Sequence, residues 1–216
     1  MINFIIAFDN QNIALGQYFE DCKNDIVALL NEQSHLVKSN LQIASNQCNK
    51  AYIDVAIPQL NSNPFIFVAY THGIENGLRC DGVSFVSADN CCHFTNSLFY
   101  STACLIGKKL APELINNGCS VFVGYKDESE VIFEKDAYRP VFIECDNFAL
   151  KMFLTKPNVT IGQSFEAMKN YYTNKIDFFM EMGEDILFIS SLVANREALV
   201  CLGNKDLKKE DLFLSE

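Results

Sequence analysis

The run FIFVAY at residues 65–70 constrains the fold most strongly, because its side chains are apolar at every position. Side chains alternate between the two faces of a β-strand, so both faces of this strand must be covered by other groups. Strands of this kind lie in the centre of parallel sheets that carry helices on both sides. Residues 2–8 (INFIIAF) have a similar density of apolar and β-branched side chains. The sequence therefore predicts a sheet that is buried on both faces.

Segments with helical spacing alternate with further strand-like runs along the chain. Residues 16–32 place apolar side chains at helical spacing and acidic ones on the opposite side. Further strands are predicted at Leu41–Ala44, Ser97–Ala103, Ser120–Tyr125 and Leu199–Leu202. Further helical segments are predicted at Ala51–Leu60, Leu105–Asn117, Phe142–Leu154, Ile161–Met182 and Ile186–Arg196. This alternation implies parallel crossovers and an α/β fold, a three-layer α-β-α sandwich with a mostly parallel central sheet.

Two connecting segments stand out by composition. Asp81-Gly82 lies between short alternating runs, which is a strong signal for a tight β-hairpin. Residues 126–139 (KDESEVIFEKDAYR) are rich in acidic side chains and are expected to form an exposed connection. A length of 216 residues, a hydrophobic content of 49% and the lack of repeats or linkers predict a single domain over residues 1–216.

The charge balance argues against two classes of partner. The formal net charge is −10 at pH 7 and no basic run is present, so we expect no nucleic acid ligand. No apolar stretch reaches the roughly 18 residues of a membrane span, so no membrane association is expected. The apolar start of the chain is too short for a secretion signal and lacks a cationic flank, which predicts a cytoplasmic protein. Because the chain starts at its first strand, no sizeable N-terminal prosegment is expected.

Nine cysteines invite a disulfide or metal interpretation, and the pattern favours neither. The number is odd and no secretion signal precedes it, so we expect reduced thiols. Zinc sites use cysteine pairs at short spacing, whereas Cys91, Cys92 and His93 are adjacent and cannot easily face one ion. We therefore expect no metal and no cofactor.

His72 and Cys104 occupy equivalent places, each at the end of a predicted core strand. Ligands of open α/β sheets bind outside the carboxyl ends of the strands, so neighbouring strands would bring the imidazole and the thiol together. The imidazole can then activate the thiol as a nucleophile. The predicted helix after Cys104 would stabilise a thiolate at its N-terminus. The amides of Gly73 and Cys104 are candidate donors to an oxyanion.

Other cysteine chemistries fit the sequence less well. A cysteine phosphatase needs an arginine six residues after the nucleophile, where this chain has Leu110. A nucleophile elbow needs glycines at the positions of Thr102 and Ile106. His93 remains a competing candidate for the base, while His35 lies in a polar stretch and is expected to be solvated.

The stretches THGIENGLRCDGVSF (71–85) and NSLFYSTACLIGKKLAPELINNGCSVFVGY (96–125) resemble the caspase-like cysteine peptidases. These include caspases, metacaspases, gingipains, separases, legumains and CHAT domains. The likeness covers residues 60–126 most clearly and lies in the element order: a strand ending in His-Gly, a hairpin, a strand ending in Cys, and a helix. It implies a caspase-like fold in which His72 is the general base or acid and Cys104 the nucleophile. Thr102 replaces the glutamine of the caspase motif, so cleavage after aspartate is not implied.

The resemblance also suggests which residues select the substrate. In such peptidases the pocket for the residue before the cleaved bond adjoins the cysteine strand and the next strand end. The candidate wall residues are Thr102, Tyr125, Asp127 and, in the hairpin, Asp81. An acidic wall would favour lysine or arginine in the substrate, although each carboxylate can equally be a solvated loop residue.

The functional hypothesis is a cysteine endopeptidase that cleaves a protein or peptide substrate in a regulatory or defence role. It would form a thioester acyl-enzyme through a His72/Cys104 dyad, under possible control by a regulatory protein partner. The alternatives are a catalytically inactive caspase-like module that binds a partner protein, and an unrelated α/β domain in which both residues are structural.

Overall fold

The computed structural model describes residues 1–60 and 63–213. The strands are β1 (Ile2–Phe8), β2 (Val37–Ala44), β3 (Phe65–Tyr70), β4 (His72–Ile74), β5 (Gly77–Cys80), β6 (Val83–Ser87), β7 (Ser97–Ser101), β8 (Val121–Tyr125) and β9 (Leu199–Gly203). The α-helices are α1 (Gly16–Glu32), α2 (Lys50–Ala56), α3 (Leu110–Asn116), α4 (Tyr138–Thr155), α5 (Ile161–Glu181) and α6 (Ile186–Ala198).

Six strands form the central sheet in the order β2-β1-β3-β7-β8-β9. The first five are parallel and β9 runs antiparallel to β8. The mostly parallel sheet predicted from the apolar runs is therefore confirmed. The remaining strands, β4, β5 and β6, form a small antiparallel sheet of their own.

The alternation along β3 explains why the sheet needs cover on both faces. Ile66, Val68 and Tyr70 belong to a core that includes side chains of α1, α4, α5 and α6. Phe65, Phe67 and Ala69 point to the second core, formed with α2, α3 and the small sheet. Both sets are buried to 2% exposure or less. The predicted three-layer sandwich is confirmed, with a hydrophobic layer on each side of the sheet.

The Asp81-Gly82 hairpin is confirmed. Both residues have positive φ angles, 49° and 74°, which is the conformation that a two-residue turn between twisted strands requires. The turn connects β5 to β6, and Leu78 and Phe85 of these strands are buried in the second core.

The helix predicted to begin directly after Cys104 begins later, at Leu110. Pro112 explains the difference, because proline lacks a backbone N–H and is tolerated in the first turn of a helix but not in its interior. Leu105 adopts a left-handed conformation with φ 66°, and the chain turns before α3 starts. The prediction that Cys104 lies at a helix N-terminus was wrong.

The acidic connection after β8 is only partly exposed. Residues 126–137 contain no helix or strand, as expected for a loop. However, Val131, Ile132 and Phe133 pack against the first core, because three apolar side chains stand among the charged ones. No helix in the described ranges is long and apolar enough to cross a membrane.

Candidate active site

The segments that carry His72 and Cys104 leave the same edge of the sheet side by side. Strands β3 and β7 are parallel neighbours, with Ala69 opposite Ser101 in the register. The two strands end at Tyr70 and Ser101, so each candidate residue follows its strand by two or three positions. The sequence brings the two residues to one place only if these strands are neighbours, and this condition is met.

Gly73 holds the two segments in backbone contact. A β carbon at this position would lie 2.3 Å from the Cys104 carbonyl oxygen and 3.0 Å from the β carbon of Ala103. Real β carbons do not approach a backbone oxygen this closely, so only glycine allows this packing. The residue that follows the histidine thus fixes the spacing between the two strand ends.

His72 and Cys104 line the same small cavity. Its volume is about 30 Å³, and its walls also include Tyr18, Phe19, Thr102, Ser129 and Asp146. This is room for one or two water molecules. The imidazole is exposed on one side and contacts the ring of Phe19 edge-to-face at a centroid distance of 5.5 Å.

The Cys104 thiol is in contact with Ser129 of the connection after β8. The Ser129 N–H donates to Cys104 Sγ at 3.3 Å, and the Ser129 hydroxyl oxygen lies 3.2 Å from the sulfur. The Ser129 carbonyl oxygen is 3.6 Å away. The local donor is therefore a loop amide and not the helix N-terminus that the sequence suggested.

Asn195 of α6 fixes the residues beside Ser129. Its side-chain oxygen accepts from the Glu130 N–H at 2.7 Å, and its side-chain nitrogen donates to the Glu130 carbonyl at 2.8 Å. Asn195 is 1% exposed, so both bonds are shielded from water. The Asn195 side chain thereby holds the neighbouring Ser129 over the thiol. We call residues 127–131 the strap.

A buried carboxylate, Asp146, forms part of the cavity wall beneath the strap. Its oxygens accept hydrogen bonds from the hydroxyls of Tyr18 at 2.6 Å, Tyr172 at 2.9 Å and Tyr125. Burial raises the pKa of Asp146 above its ordinary value, and the tyrosine hydroxyls oppose that shift. Burial likewise raises the pKa of the Tyr18 and Tyr172 hydroxyls. The network places a carboxyl group in the buried first core, in the wall of the cavity that His72 and Cys104 also line.

The four residues predicted to select the substrate lie in different places. Thr102 lines the small cavity, and its buried hydroxyl oxygen has no partner in the described part of the chain. Tyr125 lies in the core, bound to Asp146, and does not line the cavity. Asp127 is on the surface and forms an ion pair with Lys108 at 3.0 Å. Asp81 lies at the tip of the hairpin, in a groove on another side of His72.

Sequence reasoning missed Asp146 and Ser129. Asp146 had a usable signal, because it stands between Phe142 and Leu150 at helical spacing and so lies on the apolar face of a predicted helix. Ser129 had no such signal in the sequence, since its position depends on how the connection after β8 returns to the cavity.

The competing histidine, His93, lies away from Cys104. Its Nε2 is 3.4 Å from Asp54 Oδ1, and its Nδ1 is 3.9 Å from the thiol of the exposed Cys92. His93 and Cys92 border a cavity next to Phe65, at the start of β3, whereas His72 and Cys104 follow the other ends of β3 and β7. Within the described ranges, no group of three or more metal-ligating side chains occurs, and all nine cysteines are free thiols.

The sheet order, the antiparallel last strand and the helical layers define a mixed α/β sandwich consistent with the caspase-like fold. A solved structure with this fold is the complex of the pro- and mature domains of the gingipain RgpB from Porphyromonas gingivalis. The TM-score is 0.64 and the sequence identity 14%, over 95% of this chain and 48% of that chain. The chain thus spans about half the length of the RgpB chain, and at this identity the likeness shows the fold alone. No protein-family model and no curated protein sequence matches the chain.

Proposed function

We propose that the protein is a cysteine endopeptidase of the caspase-like class, with Cys104 as nucleophile and His72 as general base and acid. The observation that carries the proposal is their meeting in one cavity at the carboxyl edge of the sheet, with Gly73 packed on the Cys104 carbonyl. Ligand sites of open α/β sheets lie at this edge. The gingipain fold supports the same chemistry without establishing it.

The proposed reaction begins when His72 takes the thiol proton and Cys104 Sγ attacks the carbonyl carbon of the substrate. The amides of Gly73 and Cys104 would stabilise the resulting oxyanion. The Cys104 N–H is suited to this role because it donates to no group within residues 1–60 and 63–213. His72 then gives its proton to the leaving amine, and water hydrolyses the thioester.

Access to the thiol requires the strap to move. The small cavity has room for water but not for a substrate side chain, and Ser129 contacts the sulfur through three atoms. Substrate binding would therefore displace Ser129 and expose Thr102, whose unpartnered hydroxyl would bind the substrate residue before the cleaved bond. A regulatory protein partner could drive this displacement, by analogy with a structure that holds pro- and mature domains together.

We further propose a cytoplasmic location and a role in regulatory or defence proteolysis. Nine free thiols suit a reducing compartment. Among the other candidate substrate residues, Asp127 and Tyr125 would contribute only after a rearrangement of the connection after β8, because one is on the surface and the other in the core.

A peptide-library digest tests the proposal. The wild-type protein, Cys104→Ala and His72→Ala are incubated with the library, and the products are identified by mass spectrometry. We expect cleavage by the wild type, none by Cys104→Ala and at least a hundred-fold slower cleavage by His72→Ala, since general base catalysis contributes about 10²–10⁴-fold. His35→Ala, at an exposed histidine away from the site, is the matched control.

One observation favours a second candidate, a non-catalytic module that binds a partner protein. The Cys104 thiol is covered by Ser129, whose segment is fixed by Asn195. A digest without products, together with a Cys104 that is no more reactive than the buried thiols, would support this alternative.

A further inference from the structure

A second and larger cavity borders His72 on another side. This groove has a volume of about 690 Å³, and its walls include Asp9, Asn12, Ser45, Asn46, His72 and Asp81. It is large enough for an amino-acid side chain. Cys104 does not line the groove. Of the two candidate catalytic residues, His72 alone borders both cavities.

The groove contains a buried carboxylate with an unused oxygen. Asp9 follows β1 and is only 2% exposed. Its Oδ1 accepts a hydrogen bond from the Ser45 hydroxyl at 2.8 Å, while its Oδ2 has no partner in the described part of the chain. A buried polar oxygen without a hydrogen-bond partner is unfavourable, and a cationic donor bound in the groove would supply that partner.

The titratable side chains in the wall of the groove are two carboxylates and the His72 imidazole. Asp81 provides a second carboxylate at the hairpin tip, and none of the described residues lining the groove is lysine or arginine. Arg79, which pairs in register with His72, does not line it. Two carboxylates and several neutral oxygen groups suit a single ammonium or guanidinium group.

We propose that this groove binds a basic side chain of the substrate, a lysine or arginine on the carboxyl-terminal side of the cleaved bond. The proposed reaction determines this side of the cleaved bond. His72 gives its proton to the leaving amine, so the substrate residues after the cleaved bond extend past His72. The position of the basic residue after the cleaved bond rests on the proposed peptidase function. The binding of a basic side chain in the groove does not depend on that function. Asp9 and Asp81 are the residues that select it.

The binding arm of the test uses the Cys104→Ala protein, so that it does not depend on catalysis. Acetyl-Ala-Arg-Ala-amide and acetyl-Ala-citrulline-Ala-amide are titrated in EDTA-containing buffer, because citrulline has nearly the shape of arginine without its charge. We expect the arginine peptide to bind at least about ten-fold more tightly, the size of one charge-assisted hydrogen bond. Asp9→Asn and Asp81→Asn should each reduce the difference, and Asp177→Asn, on the exposed side of α5, should leave it unchanged.

The cleavage arm uses the active protein and fluorogenic peptides with arginine or citrulline at each position around the cleaved bond. A preference for arginine after that bond, lost in Asp81→Asn, supports the placement. Asparagine tolerates the positive φ of position 81, so this variant keeps the turn. Equal binding of both peptides, or an arginine preference that survives both substitutions, overturns the proposal. If the arginine peptide binds but cleavage prefers arginine only before the cleaved bond, the proposed position after that bond is overturned. If the arginine peptide binds but no peptide is cleaved, the peptidase function is rejected and the site for a basic side chain is retained.

Discussion

Gly73 and Cys104 pack so closely that a single β carbon on Gly73 would lie 2.3 Å from the Cys104 carbonyl oxygen. This contact connects the two halves of the candidate site through the backbone, independently of side-chain conformation. It also explains why a histidine followed by glycine can stand beside a cysteine at this edge of the sheet.

Replacing Gly73 by alanine should destabilise the protein and alter the environment of Cys104. The added methyl group must push against backbone, and such overpacking costs about 1–3 kcal/mol. Gly183→Ala is the control for the alkylation only: no atom lies within 4 Å of an added β carbon there, while the positive φ of Gly183 makes alanine strained in itself. Urea unfolding measures the stability change, and alkylation of Cys104 reports the local change. Unaltered alkylation in Gly73→Ala would show that the contact does not position the cysteine.

Releasing the strap should expose the thiol. Asn195→Ala removes both hydrogen bonds to the Glu130 backbone, so Ser129 loses its anchor and the sulfur becomes accessible. We expect Cys104 to react with iodoacetamide several-fold faster. The rate is measured at pH 9, where ordinary cysteine thiols are largely ionised and access dominates. The measurement needs a Cys92→Ser background, because Cys92 is exposed.

Asn174→Ala, at an exposed position of α5, is the control for this experiment. If Asn195→Ala and Asn174→Ala give the same Cys104 rate, the strap does not limit access to the thiol.

The Asp146 network should make stability depend on pH in a recognisable way. Burial raises the pKa of Asp146, so the folded state holds this proton more tightly than the unfolded state. The stabilisation is present at low pH and is lost as the pH rises from the ordinary carboxyl pKa through the raised one. Asp146→Asn carries no such proton, so its unfolding free energy should gain on that of the wild type as pH increases.

Urea unfolding of both proteins between pH 4 and pH 8 measures this gain, with Asp177→Asn as the exposed control. A difference between wild type and Asp146→Asn that stays constant over this range would show that Asp146 has no raised pKa.

Much of the fold follows from local sequence patterns. The apolar runs at 2–8 and 65–70 give β1 and β3 at their predicted bounds, and Asp81-Gly82 gives the hairpin. These succeed because side-chain alternation and turn chemistry act over a few residues. Helix α3 was placed too early because the apolar spacing after Cys104 outweighed Pro112, which alone marks the first turn.

The site is less accessible from sequence, because its parts come from distant segments. That His72 and Cys104 border one cavity could be expected on the condition that their two parallel strands are neighbours. Ser129 could not, since it reaches the site through a loop whose path depends on the packed sheet and helices. Asp9 had the same signal as His72, because it directly follows a predicted core strand. The sequence also gives no sign that Tyr125, at the end of β8, points into the core rather than toward the cavity.

The site-resolved alkylation rate of Cys104, with and without His72, tests most directly whether the two residues form a catalytic dyad. In the Cys92→Ser background, intact protein is treated with iodoacetamide at pH 7, and the modified cysteine is identified by peptide mass spectrometry. We expect Cys104 to react faster than the seven remaining cysteines. We also expect His72→Ala to slow the alkylation of Cys104 at least ten-fold at pH 7, and His35→Ala to have no effect. Equal Cys104 rates with and without His72 would contradict a His72/Cys104 dyad.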